Sequence, residues 1–170
     1  MKKRILLFII FILVAGIFSF PAFSDFDSSK SLLVYFISNH NEFTLLEVTY
    51  MMNELKNYFA TQGIIVYDLG ITNDDFANKI FKRDNFKVYI EFSGNITSIS
   101  GNYGNYDASA NVIMKLENPF DNEEPYVDSL EDYGSKMPNI SDAKALALSI
   151  TSINLVTKNI EKIKQLLNEK

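Results

Sequence analysis

Histidines, thiols and paired carboxylates do most protein chemistry, and this chain is sparing with them. It holds one histidine and no cysteine in 170 residues. His40, between Asn39 and Asn41, has no second imidazole for a two-histidine zinc motif, and thiolate ligands, thiol catalysis and disulfides are excluded. It reads as a polar loop or cap residue ahead of a helix, with a pH-sensing or catalytic role as the alternative. The acids gather at Asp121, Glu123, Glu124, Asp128, Glu131 and Asp132. Carboxylates so close together suit calcium, yet the run lacks the alternating ligands, central glycine and closing glutamate of an EF-hand loop. It reads as a solvated turn and edge strand, the alternative being a weak cation site or a surface for a basic partner. Catalytic carboxylate pairs meet in space rather than along the chain, and the sequence singles out neither Glu91 nor Asp68. No residue is assigned to catalysis, to a metal or to a cofactor.

The stretch "GNITSISGNYGNYDASANVIMKL", residues 94–116, invites a different chemistry. A glycine loop that cradles phosphate runs from a strand into a helix, where free amides and the helix dipole meet the anion. Here the loop leads into another strand. Phe86, Val88, Ile90, Phe92 and Ile96 alternate with Lys87, Glu91, Ser93, Asn95 and Thr97, and the alternation restarts at Tyr106, Ala108, Ala110, Val112, Met114 and Leu116. Gly101 and Gly104, with Asn102 and Asn105, accept positive φ, so the spacing predicts a long hairpin with "SGNYGN" at its tip. Tyr103 and Tyr106 at that tip, with Tyr126, are the candidate partner contacts.

The first residues bear on location. "KKR" at residues 2–4 precedes an apolar run from Ile5 to Phe18, and "SFPAFS" follows with small residues at Ala22 and Ser24. This is signal-peptide grammar, with cleavage expected between Ser24 and Asp25. The competing reading is an anchor left uncut, since Ile5 to Phe23 approaches the length of a membrane span. No cysteine follows the run to accept a lipid. Export to a periplasm or the exterior is the expectation, leaving residues 25–170 as one domain. Loss of Lys2, Lys3 and Arg4 with the leader moves the formal net charge of −5 to −8, which argues against nucleic acid as a partner. Membrane contact is expected only through the leader, if it is kept.

The elements that position these residues follow in order. "SLLVYFI" (31–37) is an apolar run suited to a strand covered on both faces. Thr44 and Glu47 have capping-box spacing, and Leu45, Val48, Met52, Leu55 and Phe59 form a helical stripe that stops at Gly63. "IIVYDL" (64–69) predicts a second strand, in parallel with the first across the helix. "TNDDFANKIF" (72–81) predicts a short helix capped by Thr72 or Asn73. After the hairpin, "YVDSLEDY" (126–133) reads as an edge strand whose acids discourage pairing. Ser141 is the expected cap of a final helix striped by Ala143, Leu146, Ala147, Ile150, Ile153, Val156, Ile160, Ile163 and Leu167. The fold class is α+β, a mixed α/β sandwich in the order β-α-β-α-β-β-β-α: one mixed sheet covered by two longer helices.

"SLLVYFISN" followed by "LLEVTYMMNELKNYFATQGIIVYDLG", then "FKVYIEFSGNITSISGNYGNYDASANVIMKL", the turn "NPFDNEE" and "SDAKALALSITSINLVTKNIEKI" together resemble a group of envelope domains. The group includes the flagellar assembly protein T, related small envelope lipoproteins, the amino-terminal domain of TolB, the curli-secretion pore subunit and the periplasmic activator of penicillin-binding proteins. The resemblance is one of pattern, without a diagnostic motif. It implies a non-enzymatic, periplasmic accessory or assembly factor of a cell-envelope machine that works by binding protein, and it supplies no catalytic residues. The chain departs from the group in having no lipidation cysteine, no additional domain and a short second helix. A small-ligand or carbohydrate binder, with Tyr103, Tyr106 and Tyr126 lining a site between hairpin and edge strand, is the alternative expectation.

Overall fold

A computed structural model describes residues 31–37, 43–84, 86–118 and 124–168. Its elements are β1 (Ser31–Ile37), α1 (Leu45–Thr61), β2 (Ile65–Thr72), α2 (Asp74–Asp84), β3 (Val88–Asn102), β4 (Asn105–Glu117), β5 (Tyr126–Met137) and α3 (Ile140–Asn168). The order is the one the patterning predicts. The strands form one mixed sheet, β2-β1-β3-β4-β5. β1 runs parallel to β2 and β3, while β4 is antiparallel to both its neighbours. The edges are β2, whose only charged residue is Asp68, and the acid-bearing β5.

β1 is apolar throughout because both its faces are covered. Leu32, Val34 and Phe36 join the main core beneath α1 and α3, whereas Leu33 and Tyr35 pack with Ala77 of α2 on the opposite face. Phe86 belongs to this second cluster, contrary to its expected place in register with Val88 and Ile90. It precedes the strand and so escapes the strand's alternation, turning under α2 instead; Tyr67 lies 5.6 Å from its ring.

α1 begins as the capping box predicts and ends with Gly63 N–H donating to Ala60 O and Ile64 N–H to Phe59 O, a pair of bonds that closes off the last carbonyls. Its buried face is Glu47, Val48, Met51, Met52, Leu55 and Phe59. Leu45, expected in the stripe, is 67% exposed. The stripe is rotated because α1 packs sideways on α3 as well as down onto the sheet, which draws in Glu47 and Met51 at Leu45's expense. The same double packing buries Leu148, Leu155, Ser149, Thr151, Ser152 and Asn159 of α3, none of which belongs to a single apolar stripe. The small hydroxyls are satisfied within the helix pair: Thr151 donates to Ala147 O of its own helix at 2.7 Å and Ser152 to Met51 Sδ of α1 at 3.1 Å. Both termini of the pair are tied in the same sense, Glu47 to Ser141 at one end and Gln62 to Lys164 at the other, so α1 and α3 lie parallel.

Three boundaries depart from expectation. β2 continues past Leu69 through Thr72, and of the two expected caps of α2 it is Asn73 that serves, accepting from Phe76 N–H at 2.9 Å. Asn139, not Ser141, caps α3, accepting from Asp142 N–H at 2.8 Å. β5 runs on to Met137 through Gly134, Ser135 and Lys136. Gly134 explains that extension, because a Cβ there would lie 2.7 Å from Ala147 N and 3.0 Å from Ala143 O. The helix backbone rests directly on the strand, with Ala143 and Ala147 keeping the approach close. Gly134→Ala is expected to destabilise the fold by about 2 kcal/mol through overpacking against backbone that cannot yield, read as a lower denaturant midpoint with an unchanged m-value.

Candidate functional site

β1, β3 and β5 all finish at one end of the sheet, and α1 and α3 begin there. Two helix starts side by side bring together unpaired amides and two positive dipole ends. Glu47 fills the space between them at 2% exposure. One carboxylate oxygen accepts from Thr44 N–H at 2.7 Å, the other from Ser141 Oγ at 3.0 Å, and Lys144 Nζ stands 3.4 Å away. Lys144 also lies over the Phe43 ring, 5.7 Å from its centroid. Every charge in the cluster has a partner, so burial is tolerated.

Above Glu47 lies an open groove of about 210 Å³. Leu46, Tyr50, Met137, Ala145 and Leu146 wall it, and Ser141 and Asp142 supply polar atoms beside Glu47. Leu46 is 73% exposed, and Leu45, Tyr50 and Ile140 are exposed with it. This is an apolar surface that the fold does not cover. Two adjacent leucines at the start of a helix whose stripe needs only one of them, and an isoleucine beside a cap, are the signals by which the sequence could have given it away.

The hairpin tip projects from the same end. Asn102 pairs with Asn105, so Tyr103 and Gly104 alone make the turn, with φ of 50° and 79°. Positive φ at both positions marks a type I′ turn. Gly104 fits it freely, but a tyrosine in the left-handed region costs about 1 kcal/mol, and its ring is 97% exposed. Tyr106 is half-buried against the core cluster and lies over Gly101. Tyr126 sits at the other end of the sheet: it is opposite Leu116, whereas Tyr106 is opposite Met137. Its hydroxyl donates to Asn159 Oδ1 at 2.9 Å and Lys162 caps its ring at 3.7 Å. The three tyrosines thus do not line one site.

The acids of β5 are divided by strand alternation. Asp128 and Asp132 face α3, where Asp128 meets Lys158 Nζ at 2.9 Å and Asn159 Nδ2 at 2.8 Å, and Asp132 accepts from Asn154 at 2.7 Å. Glu131 points to the other face and accepts from Thr97 at 2.5 Å. Within β5, Asp128 and Asp132 therefore form a polar seam between helix and edge strand. Hydrogen bonds from Asn159 and Lys158 hold the Asp128 carboxyl below its ordinary 3.8, and the bond to Asp128 raises Lys158 above 10.5. Asp121, Glu123 and His40 lie outside the described residues. Glu91 and Glu117 approach one another on the open sheet face, with Lys115 Nζ at 3.8 and 3.1 Å respectively. Tyr35 donates to Glu91, and Tyr89 to Glu117, so each carboxylate already holds a hydroxyl and an ammonium. Among the described residues no group of three or more metal-ligating side chains forms, and no helix is long and apolar enough to cross a membrane.

No family model and no curated protein matches the chain. Among solved structures it is similar to the PelC dodecamer from Paraburkholderia phytofirmans, at 13% identity over 74% of this chain and 88% of that one, TM-score 0.49. It is also similar to the hypothetical protein CT253 from Chlamydia trachomatis, at 9% identity over 82% and 98%, TM-score 0.46. Lipoprotein GNA1162 from Neisseria meningitidis is another, at 9% identity over 79% and 99%, TM-score 0.39. At these levels the likeness says nothing of ligands or partners.

Glu47→Ala should destabilise the protein by about 2 kcal/mol, since it strips a half-buried ammonium and a helix start of their shared partner. Glu47→Gln keeps the hydrogen bonds and should lose less; equilibrium unfolding of both variants measures the difference. The Asp128–Lys158 pair makes stability pH-dependent at both extremes. Because the Asp128 pKa is lowered on folding, its contribution is whole above the ordinary value of 3.8 and disappears as pH falls through the lower folded value. Lys158 contributes fully below 10.5 and loses its contribution as pH rises through its raised value. The stability difference between the native chain and Asp128→Asn is therefore expected to be flat near neutrality and to shrink in acid below about pH 4.

Proposed function

We propose that this chain is an exported, non-enzymatic accessory or assembly factor of a cell-envelope machine, and that it acts by holding a partner protein in the groove between the α1 and α3 starts. The observation that carries the reading is the uncovered apolar surface of Leu45, Leu46, Tyr50 and Ile140 around that groove. Exposed apolar patches of this kind mark contact sites. The leader-like first residues support export, and the partners already held by Glu47, Glu91, Glu117 and Asp128 favour a structural use of the carboxylates over a catalytic one. The partner this surface suits is a protein segment with an apolar side chain to bury, not nucleic acid, since the chain is acidic.

Photo-cross-linking in the native cell tests it. A photoreactive residue in place of Tyr50 should capture a partner in the envelope fraction, whereas one in place of Tyr133, exposed on the open sheet face, should not. Leu46→Glu should weaken capture at least about tenfold, the worth of one buried leucine. Capture of nothing at Tyr50, or recovery of the chain in the cytosol, would overturn the proposal.

A further inference from the structure

We propose that a second copy of this chain occupies the groove, each copy seating Tyr103 of its hairpin in the groove of the other. The inference rests on the premise of the proposed function that the groove is a docking surface, and the second copy fills it in the chain that holds no other partner.

The fit is one of size and polarity. An apolar cavity of about 150 Å³ accepts a benzene ring, and the groove of about 210 Å³ has room for one tyrosyl side chain. Leu46, Tyr50, Met137, Ala145 and Leu146 would meet the ring, and Ser141 and Asp142 offer acceptors for its hydroxyl, which a buried phenol requires. No other large hydrophobic side chain among the described residues is as exposed as Tyr103.

The geometry favours reciprocity. Tyr106 is opposite Met137, a groove residue, and Tyr103 lies in the turn just past the Asn102–Asn105 pair, about 7 Å further along the hairpin axis. Finger and groove therefore share one end of the molecule. A two-fold axis between two such ends places each finger at the other's groove, giving the self-complementary closed contact that symmetric dimers use.

Charge points to the same face. The groove carries Glu47 and Asp142, so in an acidic chain the segment of a second copy that enters it most easily is one with no charge of its own. From Phe92 to Tyr106 there is no charged residue. The tip "SISGNYGNY" (98–106) is built of serine, glycine, asparagine and tyrosine, the composition that gives antibody loops rigid aromatic contact with adaptable hydrogen bonding.

The full chain, purified as it accumulates in the producing cell, is expected to show a reversible monomer–dimer equilibrium in sedimentation experiments. Tyr103→Asn should raise the dimer dissociation constant at least tenfold while holding or raising the thermal midpoint, because asparagine accepts the positive φ that tyrosine resists. Tyr133→Ala should leave the equilibrium unchanged. The chain has no cysteine, so mixing a Tyr103→Cys chain with a Tyr50→Cys chain under oxidising conditions should give the mixed dimer in preference to either homodimer. A chain that stays monomeric at all concentrations, a dimer that ignores Tyr103→Asn, or failure of the mixed disulfide overturns the inference. If partner capture at Tyr50 persists with a monomeric chain, the proposed function stands alone. A dimer with no envelope capture leaves this inference and removes the other.

Discussion

A carboxylate buried between two helix starts is the constraint around which the slab is arranged. Parallel helices set side by side place like dipole ends together, an arrangement that needs negative charge at their shared end. Glu47 supplies it for both at once, capping its own helix through Thr44 and receiving Ser141 from the other. Lys144 then balances the carboxylate, and its stem and ammonium rest on Phe43, which in turn meets Phe36 of β1 edge-on at 5.8 Å. The chain of contacts runs from one charge to the central strand. The exposed groove is a by-product of this geometry: two parallel helices that start side by side about a common polar centre leave their first turns uncovered.

The elements were legible because their signals are local. Alternation of period two from Val88 onward, the Thr44 to Glu47 spacing and the stop at Gly63 each depend on neighbours a few residues away, and each appears where the sequence places it. What escaped depends on residues far apart. Gly134 looks like the end of a strand until Ala143 and Ala147 are known to press on it. Phe86 looks like a member of the β3 alternation until α2 is seen to roof the other face. Leu148, Ser152 and Asn159 look like solvent residues of a one-sided helix until α1 is placed alongside.

The candidate site was half legible for the same reason. Tyr103 stands out from its position between two turn-forming pairs, and its exposure follows from the hairpin. Its separation from Tyr126 follows from register, which composition does not reveal. The groove draws Leu46, Tyr50, Met137 and Leu146 from three elements, and no spacing along the chain brings them together. The acids of residues 121–132 read as one cluster in the sequence, yet within β5 strand alternation sends Asp128 and Glu131 to opposite faces, so that proximity in sequence becomes separation in space.

The two rims of the sheet are unequal, and this limits how the protein can misassemble. β5 carries three acids, Asp128, Glu131 and Asp132, and Lys136 breaks its line with a positive φ; β2 carries one, Asp68, paired with Lys56 at 2.6 Å as Asp128 is with Lys158 at 2.9 Å. Fibre growth by edge addition requires every unit to be adhesive on both flanks. A slab with one receptive flank and one repellent one terminates such growth after a single pairing, which suits a chain that has no disulfide to restrain it.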